Sequence, residues 1–173
     1  MRRAGLLLAL GALAAAGCDE GRVGDAWRAL DPRIEAPAFS LPALDGSPAS
    51  LAGLRGRIVV MEFWATWCAP CRFSLPSLEV IAKQYADREV TILLINEGEA
   101  PETVKAWLRG RFTAARVLLD RDGAVGTRYR VQSIPQLFII DAEGRVAYVH
   151  AGYGGGLERA LSEILDTLLP PRT

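Results

Sequence analysis

Two cysteines spaced C-x-x-C, in Trp67-Cys68-Ala69-Pro70-Cys71, sit directly behind a continuous apolar run, Ile58-Val59-Val60-Met61-Glu62-Phe63-Trp64. The run reads as a strand covered on both faces. The residues from Cys71 to Ala86 read as the helix that follows. This junction constrains the chain more than any other feature, because it demands a buried strand, a tight turn and a helix start in immediate succession. A thiol at a helix start feels the positive end of the helix dipole and unpaired backbone N–H groups, and both stabilise a thiolate. C-x-x-C also occurs in zinc sites, but a structural zinc needs a full tetrahedral set of ligands. The chain holds 3 Cys and 1 His in all, with Cys18 near the N-terminus and His150 far along the sequence. The pattern therefore favours dithiol redox chemistry over structural metal.

The 173 residues allow one domain and an appendage, and a composition that is 50% hydrophobic allows a sizeable core. Lys and Arg total 20, as do Asp and Glu. A balanced charge argues against nucleic acid or a polybasic membrane patch as partner. Met1-Arg2-Arg3 is a basic start, and Ala4 to Ala16 is nearly all Ala and Leu. That apolar stretch is too short to cross a bilayer, which takes about 20 residues. Leu13-Ala14-Ala15-Ala16-Gly17-Cys18 resembles a bacterial lipoprotein signal, cut before a cysteine that is then lipidated. An ordinary cleaved export signal and an uncleaved anchor are the alternatives. All three place the domain outside the cytoplasm, and Asp19 resembles an inner-membrane retention signal. Residues 1–18 are thus read as a signal segment. Residues 19–35 are read as a polar tether, reaching on the order of 50 Å if extended. Trp27 within it either docks on the domain or is idle. Residues 36–173 are read as the folded domain.

Along that domain, Ala38–Leu41 and Pro48–Leu51 flank the turn signal Asp45-Gly46 and form a hairpin. Glu89 to Asn96 is a second buried strand. Pro101 to Gly110 is a helix opened by Pro and closed by Gly. Ala115 to Leu119 is a short strand and Asp122 to Arg130 a short helix. Gln136–Asp141 and Val146–His150 form a hairpin over Ala142-Glu143-Gly144-Arg145. Leu157 to Leu169 is a closing amphipathic helix. Pro76 is expected to kink the active-site helix. The order of elements indicates a three-layer α/β/α sandwich.

From about Pro37 to Leu169 the chain resembles the thioredoxin-like family, and within it the membrane-tethered TlpA-like and ResA-like branch. The resemblance is carried by Ala36-Pro37-Ala38-Phe39-Ser40-Leu41-Pro42 with Asp45-Gly46, by Glu62 to Cys71, by Pro76, and by Ser133-Ile134-Pro135 with Leu137 to Asp141. It implies a thioredoxin fold with a mixed central sheet and an N-terminal β-hairpin. It also implies a cis peptide bond at Ile134-Pro135 facing the dithiol. Pro is nearly the only residue that makes cis affordable, and the backbone of Ile134 would be open to pair with a substrate strand. Gln136 departs from the Thr that often follows this proline.

Position in the motif makes Cys68 the attacking thiol and Cys71 the resolving one. Pro70 and Ala69 form the dipeptide that tunes the couple. The family's strong oxidants carry a His there. Its absence favours a reductant with a potential nearer about −270 mV than about −120 mV. Trp67 is expected to be an apolar platform for partners, and Trp64 a core residue. His150 is expected to be a surface or packing residue and Arg72 a solvated one. Glu62 is the one charge in the apolar strand. In thioredoxins an acid at this place relays protons to the inner thiol. The alternative is a carboxylate at a strand end that reaches water. Many members of the respiratory branch carry their acid instead at the place of Ser74.

The expected activity is an exported, membrane-tethered thiol–disulfide oxidoreductase that reduces protein disulfides. It needs no bound cofactor and no metal. The resemblance implies electrons from a membrane thiol donor and a place in cell redox homeostasis or cytochrome c biogenesis, with apocytochrome c the leading substrate. Two rivals remain. A redoxin-type thiol peroxidase would place its cysteine in P-x-x-x-[TS]-x-x-C, and Met61 and Ala65 fail both fixed positions upstream of Cys68. A copper-delivery module would want a third ligand, for which only His150 is available.

Overall fold

The apolar run is strand β4 (Ile58–Trp64), buried at every residue. It lies near the middle of a six-stranded mixed sheet in a computed structural model that describes residues 27–112 and 114–171. The other strands are β1 (Arg28–Glu35), β5 (Val90–Glu97), β6 (Arg116–Asp120), β7 (Gln136–Ile140) and β8 (Arg145–Ala151), in the spatial order β1-β8-β7-β4-β5-β6. β4, β5 and β6 are parallel, whereas β7, β8 and β1 pair antiparallel in turn. A separate hairpin, β2 (Ser40–Pro42) with β3 (Pro48–Ser50), stands at the expected place over Asp45-Gly46.

Helices α1 (Cys71–Gln84), α2 (Pro101–Leu108) and α4 (Leu157–Leu168) cover one face of the sheet. Their core is built from Val60, Trp64, Leu75, Leu78, Ile81, Val104, Leu161 and Leu165. Short helix α3 (Ala124–Arg128) and the hairpin cover the other face, over Phe39, Phe63, Tyr129 and Phe138. The rings of Phe63, Tyr129 and Phe138 meet there at centroid distances of 5.2–5.8 Å, in the tilted and edge-on arrangements that aromatic quadrupoles favour. The three-layer thioredoxin-type fold expected from the sequence is thus present. Pro76 lies inside α1, which runs on through it to Gln84.

One expectation needs correction. Residues 19–35 were expected to form a tether, but Arg28–Glu35 is the edge strand β1, paired with β8 through Arg28↔Val149 and Glu35↔Arg145. Nearly all its side chains are exposed, so it carries no apolar alternation. Main-chain pairing holds it instead, reinforced by Arg33 on the buried Asp141 at 2.9 Å and Arg55 on Glu35 at 2.6 Å. Pro32 is tolerated because an edge strand has one unpaired side, and the ladder shifts register between Ala29 and Ile34. Trp27 stacks on His150 with centroids 5.0 Å apart. Trp27 and Arg28–Glu35 therefore belong to the folded unit, which does not start at Ala36. The signal segment, Cys18 and residues 19–26 lie outside the described residues.

Candidate active site

The carboxyl end of β4 delivers the chain into the turn 65–70 and then into α1. Cys68 and Cys71 are joined by a disulfide, with an S–S distance of 2.05 Å. The backbone N–H of Cys71 points to Cys68 Sγ at 3.3 Å. That donor belongs to the first turn of a 14-residue helix, so the dipole and an orphan N–H both favour negative charge on Cys68. Cys68 is 3% exposed and Cys71 fully buried. Of the two sulfur-bearing residues, only Cys68 keeps any exposure.

Exposed aromatic side chains flank the pair in sequence at Trp67 and Phe73. Trp67 is 69% exposed, in keeping with a platform. Phe73, on the first turn of α1, is 63% exposed and stacks on Tyr153 from the loop after β8, with centroids 5.9 Å apart. Ile134-Pro135 is cis, as expected, at the start of β7. Pro135 is buried, and its carbonyl accepts the N–H of Gly152 at 2.8 Å. The half-buried Ile134 packs against both cores. Pro70 is exposed at the N-cap of α1.

Glu62 is fully buried, which removes the reading of a strand-end carboxylate in water. Period-two alternation puts Val60, Glu62 and Trp64 on the α1 face. The Ser74 hydroxyl, also fully buried, donates to Glu62 Oε1 at 2.7 Å. Burial pushes the Glu62 carboxyl from its usual 4.5 up to about 8, only partly offset by the Ser74 bond. Burial thus brings the Glu62 carboxyl toward neutral pH, the range in which a proton relay would work. Trp64 is fully buried and meets Trp107 at 5.3 Å, as a core residue should. His150 is buried beneath Trp27. Arg72 is exposed and reaches back to the Thr66 carbonyl at 3.3 Å. Among the described residues no group of three or more His, Cys, Asp or Glu could hold a metal ion.

A second carboxylate was not singled out in the sequence. Glu99, just past β5, accepts the Thr66 backbone N–H at 2.7 Å and the Thr66 hydroxyl at 2.5 Å. Asn96, fully buried at the end of β5, donates to the same carboxylate at 2.7 Å. Glu99 thereby ties the turn that carries Trp67 and Cys68 to the neighbouring strand. The available signal was position: loops at the carboxyl ends of parallel strands are where open α/β sheets build sites.

The sequence profile of the AhpC/TSA family matches residues 32–149, well over half of the chain. A thioredoxin-like protein, YneN of Bacillus subtilis, is 35% identical over 121 residues, 68% of this chain and 70% of the relative. The thiol-disulfide oxidoreductase ResA of Bacillus thuringiensis subsp. konkukian is 29% identical over 136 residues, covering 79% of this chain and 78% of the relative. The exposed lipoprotein thioredoxin of Streptococcus pneumoniae superposes with a TM-score of 0.68 at 30% identity, over 76% of this chain and 100% of that one. A buried disulfide at a helix start, a cis-proline leading into the strand paired antiparallel with β4, and these relatives agree, and the chain belongs to the AhpC/TSA redoxin family as a thiol–disulfide oxidoreductase of thioredoxin fold.

Proposed function

We propose that this oxidoreductase works outside the cytoplasm, tethered to a membrane, as a reductant of protein disulfides. The observation that carries the reductant reading is the Cys71 N–H on Cys68 Sγ with only Ala69-Pro70 between the cysteines. The helix start stabilises the Cys68 thiolate moderately, and no imidazolium adds to it. In the reduced protein the Cys68 thiolate attacks one sulfur of a partner disulfide and expels the other as a thiolate. Cys71 then loses its proton to Glu62 and attacks Cys68 Sγ. The partner leaves fully reduced, the Cys68–Cys71 disulfide closes, and two electrons have passed to the partner. A donor dithiol reverses the last steps, and Glu62 returns the proton to Cys71.

Membrane tethering is supported by the Cys18 signal pattern, by the description of the Streptococcus pneumoniae relative as a lipoprotein, and by strand direction. β4 runs toward the dithiol, β7 starts there, β8 ends there, and β1 starts there. The first strand, β1, therefore begins at Arg28 at the active-site end of the sheet. A membrane thiol donor is the natural source of electrons for a site held this way. A cysteine-bearing unfolded chain such as apocytochrome c fits the exposed aromatics Trp67 and Phe73 that flank the pair in sequence.

The test is a Cys71→Ser variant of the full chain in its native membrane. A covalent partner adduct that maps to Cys68, is released by reductant and is missing in Cys68→Ser supports the reading. A Cys71→Ser protein that stays free while disulfides in the envelope are still being reduced would contradict it.

A further inference from the structure

Glu62 has to change its protonation state once per cycle inside an apolar layer. A buried polar group needs a partner in each of its states. The Ser74 hydroxyl is bonded to Glu62 Oε1 at 2.7 Å and lies 3.2 Å from the carbonyl oxygen of Cys71, the residue whose proton is exchanged. Glu62 Oε2 is buried and has no hydrogen-bond partner among the described residues. The two carboxyl oxygens are therefore not equivalent.

We propose that Ser74 is the positioning residue of the proton relay: its hydroxyl holds Oε1, leaves Oε2 to carry the exchanged proton, and ties the carboxyl to the backbone of Cys71. This rests on the disulfide-exchange reading above. A hydroxyl has one hydrogen and two acceptors within reach here. With Glu62 ionised, that hydrogen goes to Oε1 in a charge-assisted bond, the stronger kind. With Glu62 neutral, the bond to Oε1 weakens and the Cys71 carbonyl competes for the same hydrogen. Ser74 thus favours the ionised acid and limits how far burial suppresses it. Ala at this place would leave ionised Glu62 with no donor. A side chain without a hydroxyl hydrogen cannot serve both acceptors.

The experiment follows the resolving step in single turnover. The full-length protein carries a mixed disulfide between Cys68 and 5-thio-2-nitrobenzoate, and release of the coloured thiolate is timed from pH 5.5 to 10. Ser74→Ala should move the midpoint of the rate profile up by about one pH unit and slow release at pH 7 about tenfold, the difference between a charged and a neutral hydrogen bond. Ser74→Thr, which keeps the hydroxyl, should restore the profile. Glu62→Gln should abolish the midpoint, and Ser74→Ala added to it should change nothing further. An infrared pH titration of the Glu62 carboxyl band, absent in Glu62→Gln, should show the same upward shift in Ser74→Ala. An unmoved midpoint and band in a folded Ser74→Ala protein overturn the proposal. So does an equal shift in the Glu62→Gln background. Formation of the mixed disulfide itself needs only Cys68. Its loss would fault the disulfide-exchange reading, whereas normal formation with an unmoved midpoint faults Ser74 alone.

Discussion

Replacing Glu62 with Gln gives the sharpest test of the buried acid, because charge is removed and shape is kept. The folded protein holds the Glu62 proton up to about pH 8, whereas the unfolded chain releases it near the usual 4.5. Between those values the folded state binds more protons than the unfolded state, so raising the pH pulls toward unfolding. The gap corresponds to about 5 kcal/mol lost by pH 8, at about 1.4 kcal/mol per pH unit. Stability is therefore intact below pH 4.5, declines through the window and levels off above pH 8. Glu62→Gln lacks this decline and keeps the Ser74 bond to its carbonyl oxygen. Urea melts of the oxidised wild type and variant, at steps from pH 4 to 9, should give a difference that grows across the window to a few kcal/mol in favour of the variant. Subtracting the two curves cancels the remaining titrating groups. Single-turnover resolution by Cys71 should meanwhile slow by about 10²-fold or more, the usual worth of a positioned acid–base. A flat difference curve across the window would refute the reasoning, because a carboxyl ionised in both states has no such dependence. A variant less stable at pH 8 and unchanged in rate would make Glu62 a structural residue.

Two further outcomes are expected. Glu99→Ala leaves the Thr66 N–H, the Thr66 hydroxyl and the Asn96 amide without their acceptor; it should cost about 1–3 kcal/mol in a denaturant melt and slow Cys68 attack, and no change in either would show that the turn holds itself. For Asp141, burial pushes the carboxyl up, but the Arg145 N–H, the Arg33 guanidinium and the Arg145 charge together bring it below its usual 3.8; its stabilisation is present above that value and lost as pH falls through the depressed one, so Asp141→Asn should flatten the acid limb of a stability profile and speed amide exchange in β1, and an unchanged acid limb would count against the ion pairs.

Most of the fold was legible because most elements bury side chains in patterns the sequence displays. β4, β5 and α4 each carry the apolar run or stripe their burial requires. β1 was not legible because its hydrogen-bonded ladder with β8 leaves no apolar alternation, and Asp31-Pro32 inside it reads as a loop. Cys68, Cys71, Trp67, Ile134 and Pro135 could be placed from motif spacing and resemblance. Glu62 could be flagged as a lone charge in an apolar strand. Its bond to Ser74 could not be read, since it joins a strand to a helix across the dithiol turn. Ser74 stood out only as the place where the resemblance to the respiratory branch implies an acid, and the structure shows that the acid on the strand and the hydroxyl on the helix meet. Glu99 was silent for the same reason: its partner Thr66 is distant in sequence and adjacent only once β4 and β5 pair.

The central claim is that the Cys68–Cys71 couple donates electrons to protein disulfides. Equilibration of the full-length protein with reduced and oxidised glutathione, with the 68–71 disulfide quantified by mass after alkylation, tests it most directly. The account predicts a reduction potential near that of thioredoxin, about −270 mV. A potential near that of DsbA, about −120 mV, would contradict it and make the protein a disulfide donor.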